Sequence, residues 1–183
     1  MRHLIMENKP AREIVNADFT MLNSHLARHY GIETPSIDEN HFSKVKLEGE
    51  HKVRGGILGQ GAIQMLTSNG SRTSPVERGV FILRKLLDSS PPPAPADVPE
   101  VEDITGEHQT TRDLLKHHMT TAQCATCHAK IDPLGFGMET FGPLGQWRTH
   151  EGTLVIDASG QMTNGKKFDD YQGLISSLAV NDE

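Results

Sequence analysis

Two cysteines three positions apart, followed at once by a histidine, make Cys124-Ala125-Thr126-Cys127-His128 the one stretch of this chain whose residue types and spacing name a chemistry. The pattern is the C-x-x-C-H signature of covalent c-type haem attachment. Two thiols on one helical turn can each add to one vinyl group of a porphyrin. The residue after the second thiol then lies under the iron, where an imidazole ligates it. Ala125 and Thr126 are small enough to let the ring edge approach. The chain has no third cysteine, so both thiols are committed to this motif.

Two haem-free readings compete. Zinc could be held by Cys124, Cys127, His128 and His118, but a zinc knuckle separates its ligand pairs by about a dozen residues, and adjacent Cys127 and His128 fit that poorly. A redox dithiol normally begins a helix that follows a strand, and the sequence shows no strand before Cys124.

Composition agrees with a haem protein and excludes other classes. At 183 residues, with 36% hydrophobic and only 5% aromatic content, the chain is thin in core-forming material, a deficit that a buried porphyrin would reduce. The net charge of −6 argues against a nucleic-acid surface, which needs clustered Lys and Arg. No run of about eighteen apolar residues occurs, so no membrane span is expected. The first eight residues, Met1-Arg2-His3-Leu4-Ile5-Met6-Glu7-Asn8, lack the apolar stretch and small-residue cleavage site of a secretory signal. Because c-type haem is attached after export, the motif and this start together read as a piece of a longer exported protein.

The elements that must position the motif can be read along the chain. Val15, Phe19, Leu22, Leu26 and Tyr30 recur at helical spacing, and Gly31 is the expected stop. A short strand is expected around Val45 and Leu47, then a glycine-containing helix from Arg54 to Leu66. Thr67 to Thr73 reads as a turn with capping hydroxyls. Ser74-Pro75-Val76-Glu77 is a capping box with proline at the first helical position, and Val76, Val80, Leu83 and Leu87 form the apolar stripe behind it. The proline-rich run within 89–103 predicts a stiff extended spacer. A helix should start near Thr110-Thr111-Arg112-Asp113, with the cysteine motif on its own short helix after it. Thr153 to Met162 reads as a small β-hairpin turning at Ala158-Ser159-Gly160, and a last helix begins at Asp169 or Asp170.

Several of these stretches together resemble one family. They are Ala17-Asp18-Phe19-Thr20 with Leu26-Ala27-Arg28-His29-Tyr30-Gly31, Arg54-Gly55-Gly56-Ile57-Leu58, Thr67-Ser68-Asn69, and Arg72-Thr73-Ser74-Pro75-Val76-Glu77-Arg78-Gly79. The proline run, the cysteine motif leading into Ile131-Asp132-Pro133-Leu134-Gly135-Phe136, then Gly145-Gln146-Trp147-Arg148 and Ile156-Asp157-Ala158-Ser159-Gly160 complete the set. The chain resembles the large multi-domain c-type cytochrome proteins of Planctomycetes and related bacteria, whose domains of unassigned function flank a C-x-x-C-H motif. The resemblance runs over nearly the whole length and implies a partial copy, with only the tail of an upstream helical domain and the start of a C-terminal one.

Within that frame Cys124 and Cys127 form the thioethers and His128 is the proximal ligand. The sixth position has three side-chain candidates, with a position left open or supplied from outside the chain as the alternative to all of them. Met138 and Met162 each offer a thioether, although the family often carries Leu where Met138 stands; each could equally pack in the interior. His118 matches a histidine of the family pattern, and could instead cap its own helix. Pro133, Phe136, Phe141 and Trp147 are expected to wall the porphyrin. Arg148 is either the partner of a haem propionate or a solvated side chain.

The expected fold is therefore mainly α, a small helical domain followed by a cytochrome-c-like helical haem domain with a short β-hairpin. Its parts are the upstream tail at 1–30, a helical subdomain at 31–88, the linker at 89–103, the haem-binding segment at 104–150, and the hairpin with the start of a further helical domain at 151–183. The expected function is a covalent haem c electron-transfer module of a larger exported protein of the periplasm or cell envelope, with a redox protein or neighbouring domains as partner. The alternatives are a haem-dependent, peroxidase-like oxidoreductase and a haem-free zinc or dithiol site. An electron carrier is favoured over a stand-alone enzyme, because no distal Arg–His pair follows the motif.

Overall fold

The chain opens with a short helix, α1 (Arg2–Met6), and a 3₁₀ turn (Ala11–Ile14) that lead into a strand, β1 (Phe19–Leu22). The computed structural model describes residues 1–34, 37–92, 110–120 and 122–180, without the side chains of residues 117, 118, 122 and 123. Most of the 89–103 linker lies outside the described residues, as does the His118 side chain.

The strand corrects the sequence reading of a helix through Val15, Phe19 and Leu22. Phe19 to Leu22 pairs antiparallel with β2 (Ser43–Lys46), Phe19 opposite Lys46 and Leu22 opposite Ser43. A spacing of three puts Phe19 and Leu22 on opposite faces of a strand, and both are buried because both faces are covered. His3 meets the Phe19 ring edge-on at 5.1 Å, while Leu22 enters a small core with Ala27, Tyr30, Ile32 and Leu47. Only the second half of the stripe is helical, in α2 (Ser24–Tyr30). The Asn23 side chain accepts the Leu26 N–H at its start, and Gly31 ends it at φ 67, a left-handed value that glycine takes without a Cβ clash.

A 3₁₀ turn (Gly49–Arg54) and a short helix, α3 (Gly61–Leu66), stand where one glycine-containing helix was expected. The Arg54 guanidinium organises this stretch. It stacks over the Tyr30 ring at 4.1 Å, faces Phe141 at 5.2 Å, and donates to the Gly145 carbonyl at 2.5 Å. The Thr67 to Thr73 loop is a turn, as expected: the Asn69 side chain accepts from the backbone N–H groups of Ser71 and Arg72.

Next comes α4 (Pro75–Leu86), capped by the Ser74 hydroxyl accepting the Glu77 N–H at 3.2 Å. After α5 (Thr111–His118) follows α6 (Ala122–Phe136), the longest helix described and the bearer of the cysteine motif. α4 and α6 form the closest helix pair of the fold. A Cβ placed on Gly79 would lie 2.1 Å from the Ile131 carbonyl oxygen, and one on Gly135 would lie 1.8 Å from that of Pro75. The two backbones touch where neither helix carries a side chain. Ile82 and Leu83 then pack with Ile131, Leu134 and Met138 in the larger apolar core. Gly79→Ala should therefore cost about 3 kcal/mol, the upper range for overpacking, read as a lower denaturant midpoint. An unchanged midpoint would mean the helices cross elsewhere.

The C-terminal part differs from the expected single hairpin. Two minimal hairpins occur, β3 (His150–Glu151) with β4 (Leu154–Val155), and β5 (Gly160–Gln161) with β6 (Lys167–Phe168). Ala158 to Gly160 is not the turn of either, since the chain turns at Gly152 and near Gly165 instead, both with positive φ. The last helix, α7 (Tyr171–Ala179), begins as read, with the Asp170 carboxylate accepting the Gly173 N–H at 2.7 Å. Among the described residues helix makes up 44% and strand 13%, so the fold is mixed rather than simply mainly α. The larger core draws residues from Val15 to Leu178, on both sides of the 89–103 segment. No helix among the described residues is long and apolar enough to cross a membrane.

Candidate functional site

One helix, α6, presents the motif. At about 100° per residue, Cys127, Cys124 and His128 fall on an arc of about 100° of its surface. Cys124 and Cys127 are free thiols, both half-buried. The edges of this arc have different surroundings. Cys127 leads the stripe that continues through Ile131 and Leu134 into the core against α4. His128 leads the stripe that continues through Asp132 and Phe136, one turn apart each time, and this stripe lines an open groove of about 530 Å³.

The His128 ring is held by its own helix. Nδ1 lies 3.0 and 3.1 Å from the two carboxylate oxygens of Asp132, a residue with 0% exposure. A carboxylate only accepts, so Nδ1 carries a proton, and in the neutral imidazole the lone pair is then on Nε2. This is the arrangement by which a metal-ligating histidine is oriented from behind. The sequence reading missed Asp132. The signal was present, since a carboxylate four residues after a histidine on one helix faces it.

The groove beside His128 brings together some of the expected residues. Pro133 and Phe136 line it with His128, joined by Met119 at the end of α5 and by Arg112, Lys116 and Lys167. The Arg112 guanidinium lies 4.0 Å over the Phe136 ring, and is anchored by donation to the Asp157 carbonyl at 3.0 Å and to the Ser159 carbonyl. Asp132 and Asp169 are the acidic residues of the same lining. Met119 and these cations were also missed, because nothing local in sequence ties α5 or β6 to the motif.

The other expected residues lie elsewhere. Met138 and Met162 are buried in the larger core, and neither lines the groove. Met138 falls on the α4-facing stripe, one turn beyond Leu134. Phe141 is fully buried, in edge-on contact with Trp147 at 5.0 Å and with Tyr171 at 4.9 Å, while Trp147 is 40% exposed. Arg148 is turned away by a short backbone pairing in which its N–H donates to the Thr140 carbonyl. Its guanidinium donates to Glu139 at 3.2 Å and to Thr73 at 3.3 Å, so its fork is occupied within the protein.

That contact belongs to a buried charge cluster which straps the segment after α6 onto α4. Arg78, at 0% exposure, donates to the Glu139 carboxylate at 2.7 Å and to the carbonyls of Met138, Phe141 and Gly142. Thr73 donates to the second Glu139 oxygen at 2.6 Å. Burial pushes the Glu139 carboxyl above its ordinary range, opposed by Arg78, the Thr73 hydroxyl and Arg148. The cluster holds the exit of α6 in place. Arg78 and Glu139 are enclosed at its centre, and Arg148 is a quarter exposed at its edge.

Comparison with known proteins adds one finding. Residues 54–151 match the model of the family PSCyt3, described as a protein of unknown function (DUF1588). No curated protein and no solved structure matches the chain. The matched span takes in α4, α6, the cysteine motif and the whole Arg78–Glu139–Arg148 cluster.

Proposed function

The chain belongs to the PSCyt3 family, a name that points to a cytochrome-related protein, and on that premise we propose that it is a covalent haem c-binding electron-transfer module of a larger exported protein. The observation that carries this reading is the His128–Asp132 pair beside two half-buried free thiols on one face of α6. Cys124 and Cys127 would hold the group by thioether bonds. His128 would ligate through Nε2, the nitrogen that the Asp132 bond leaves with the lone pair. When bound, a haem supplies one-electron transfer at its iron.

The chain's own residues then have separate tasks. Pro133 and Phe136 give the groove apolar walls that exclude water from the His128 side. Lys167 would supply positive charge for the propionates, the task first read onto Arg148, and Arg112 and Lys116 would add to the local positive field while paired with Asp157 and Asp113. Met119 offers a thioether from the same groove and joins His118 as a candidate for the sixth position, whereas Met138 is held in the core. A redox protein, or neighbouring domains of the full-length protein in the cell envelope, would exchange electrons with the site.

Zinc is less well supported. Among the described residues no three His, Cys, Asp or Glu side chains converge as a metal-holding group, and the described three of the four proposed zinc ligands are Cys124, Cys127 and His128. A haem needs no such convergence, since its sulfurs bind carbon and only one nitrogen binds iron.

An optical experiment tests the reading. Protein matured in a host with haem-ligating machinery should show a reduced c-type band that survives acid-acetone extraction. A colourless protein that binds zinc would refute it. Rapid turnover of peroxide by the coloured protein would move the assignment to a haem-dependent oxidoreductase.

A further inference from the structure

We propose that Asp132 is a positioning residue that makes His128 an unusually strong donor and so lowers the reduction potential of the iron it ligates. This rests on the haem reading above. The geometry is specific: both Asp132 oxygens lie within hydrogen-bond distance of Nδ1, at 3.0 and 3.1 Å, and the carboxylate is fully buried.

The carboxylate is buried as well as close to the ring. An exposed pair one helical turn apart stabilises a helix by only about 0.2–0.5 kcal/mol. Taking a carboxylate fully out of water costs far more unless a partner compensates. Asp132 is at 0% exposure, and the His128 ring supplies hydrogen bonds that offset its desolvation. What a carboxylate gives and an apolar residue does not is a negative charge against the N–H of the ligand ring.

In a low-dielectric setting that charge draws the Nδ1 proton toward oxygen and pushes electron density into the imidazole. A backbone carbonyl at the same place would choose the same tautomer without adding charge. A more electron-rich ring favours ferric over ferrous iron, which is the direction of a lower potential, and hydrogen bonding behind the axial ligand is one of the protein's levers on haem. The two stripes of α6 support the assignment. His128 and Asp132 share the groove-facing stripe, so ring and carboxylate are fixed by one rigid element rather than by two that could shift apart.

The experiment compares the haem-loaded wild type with Asp132→Asn and Asp132→Glu. Asp132→Asn keeps the shape and removes the charge. Its midpoint potential should rise by at least a tenfold change in the equilibrium ratio, about 59 mV for one electron, and its iron–histidine stretching frequency should fall. Asp132→Glu should restore most of both values. Equal potentials and stretching frequencies in wild type and Asp132→Asn, with matching circular dichroism, would overturn the proposal.

The haem content of the wild type reads the parent assignment separately. If the wild type carries none, nitrogen-15 chemical shifts of His128 still test the pairing. A ring protonated at Nδ1 in wild type, and shifted from that state in Asp132→Asn, supports Asp132 as the positioning residue. A ring protonated at Nε2 alone in the wild type overturns it.

Discussion

Glu139→Ala should cost the fold about 3–5 kcal/mol, the range for removing one member of a buried ion pair. The carboxylate lies between two guanidiniums, Arg78 at 2.7 Å and Arg148 at 3.2 Å, with the Thr73 hydroxyl at 2.6 Å. Deleting it leaves the Arg78 charge enclosed at 0% exposure with carbonyl dipoles and the Ser68 hydroxyl around it. Arg148 and Thr73 lose the same partner at once. Glu139→Gln should cost less, because its amide oxygen still accepts from Arg78. Equilibrium unfolding in denaturant reads both variants. A loss below about 1 kcal/mol for the alanine variant, the value of an exposed pair, would show that the cluster is solvated. The consequence reaches the site, since this cluster fixes the exit of α6, whose other stripe carries His128.

The double replacement Cys124→Ala with Cys127→Ala should abolish covalent haem completely, while leaving the fold near the stability of the haem-free wild type. Neither thiol is buried, and neither is in a disulfide, so removing both sulfurs breaks no cross-link. Each single variant should retain one thioether and a shifted optical band. Cys127 touches the core edge, so its single variant should be the less stable of the two. Haem that stays covalently attached in the double variant would place the linkage on another residue and remove the chemical basis of the assignment.

Signals written within one turn of chain were legible. The Ser74 cap, the Asp170 cap, the Gly31 stop and the spacing of Cys124, Cys127 and His128 all act between residues no more than four apart, and each stands where the sequence places it. The misreadings involve pairings across the chain. Phe19 and Leu22 fit a helical stripe, but their backbone groups are claimed by Ser43 to Lys46. The hairpin turns went to Gly152 and Gly165, glycines whose positive φ suits a tight reversal, rather than to Ala158-Ser159-Gly160.

The same division runs through the site. The grouping of the two thiols and His128 on one face of a helix could be read directly from their spacing. Asp132 was within local reach, one turn from His128, yet a carboxylate beside a helical histidine is common enough that only its complete burial distinguishes it. Arg148 could not be placed, because its partner Thr73 lies 75 residues away. Arg112 and Met119 join the groove only because α5 packs beside α6, an arrangement with no local signature.

The most direct measurement is the intact mass of the chain after maturation by haem-ligating machinery, with fragmentation to locate any added group. The account expects one haem's mass above the polypeptide, confined to a fragment containing Cys124 and Cys127. A mass equal to the polypeptide alone, from a host that loads another c-type protein in parallel, would contradict it.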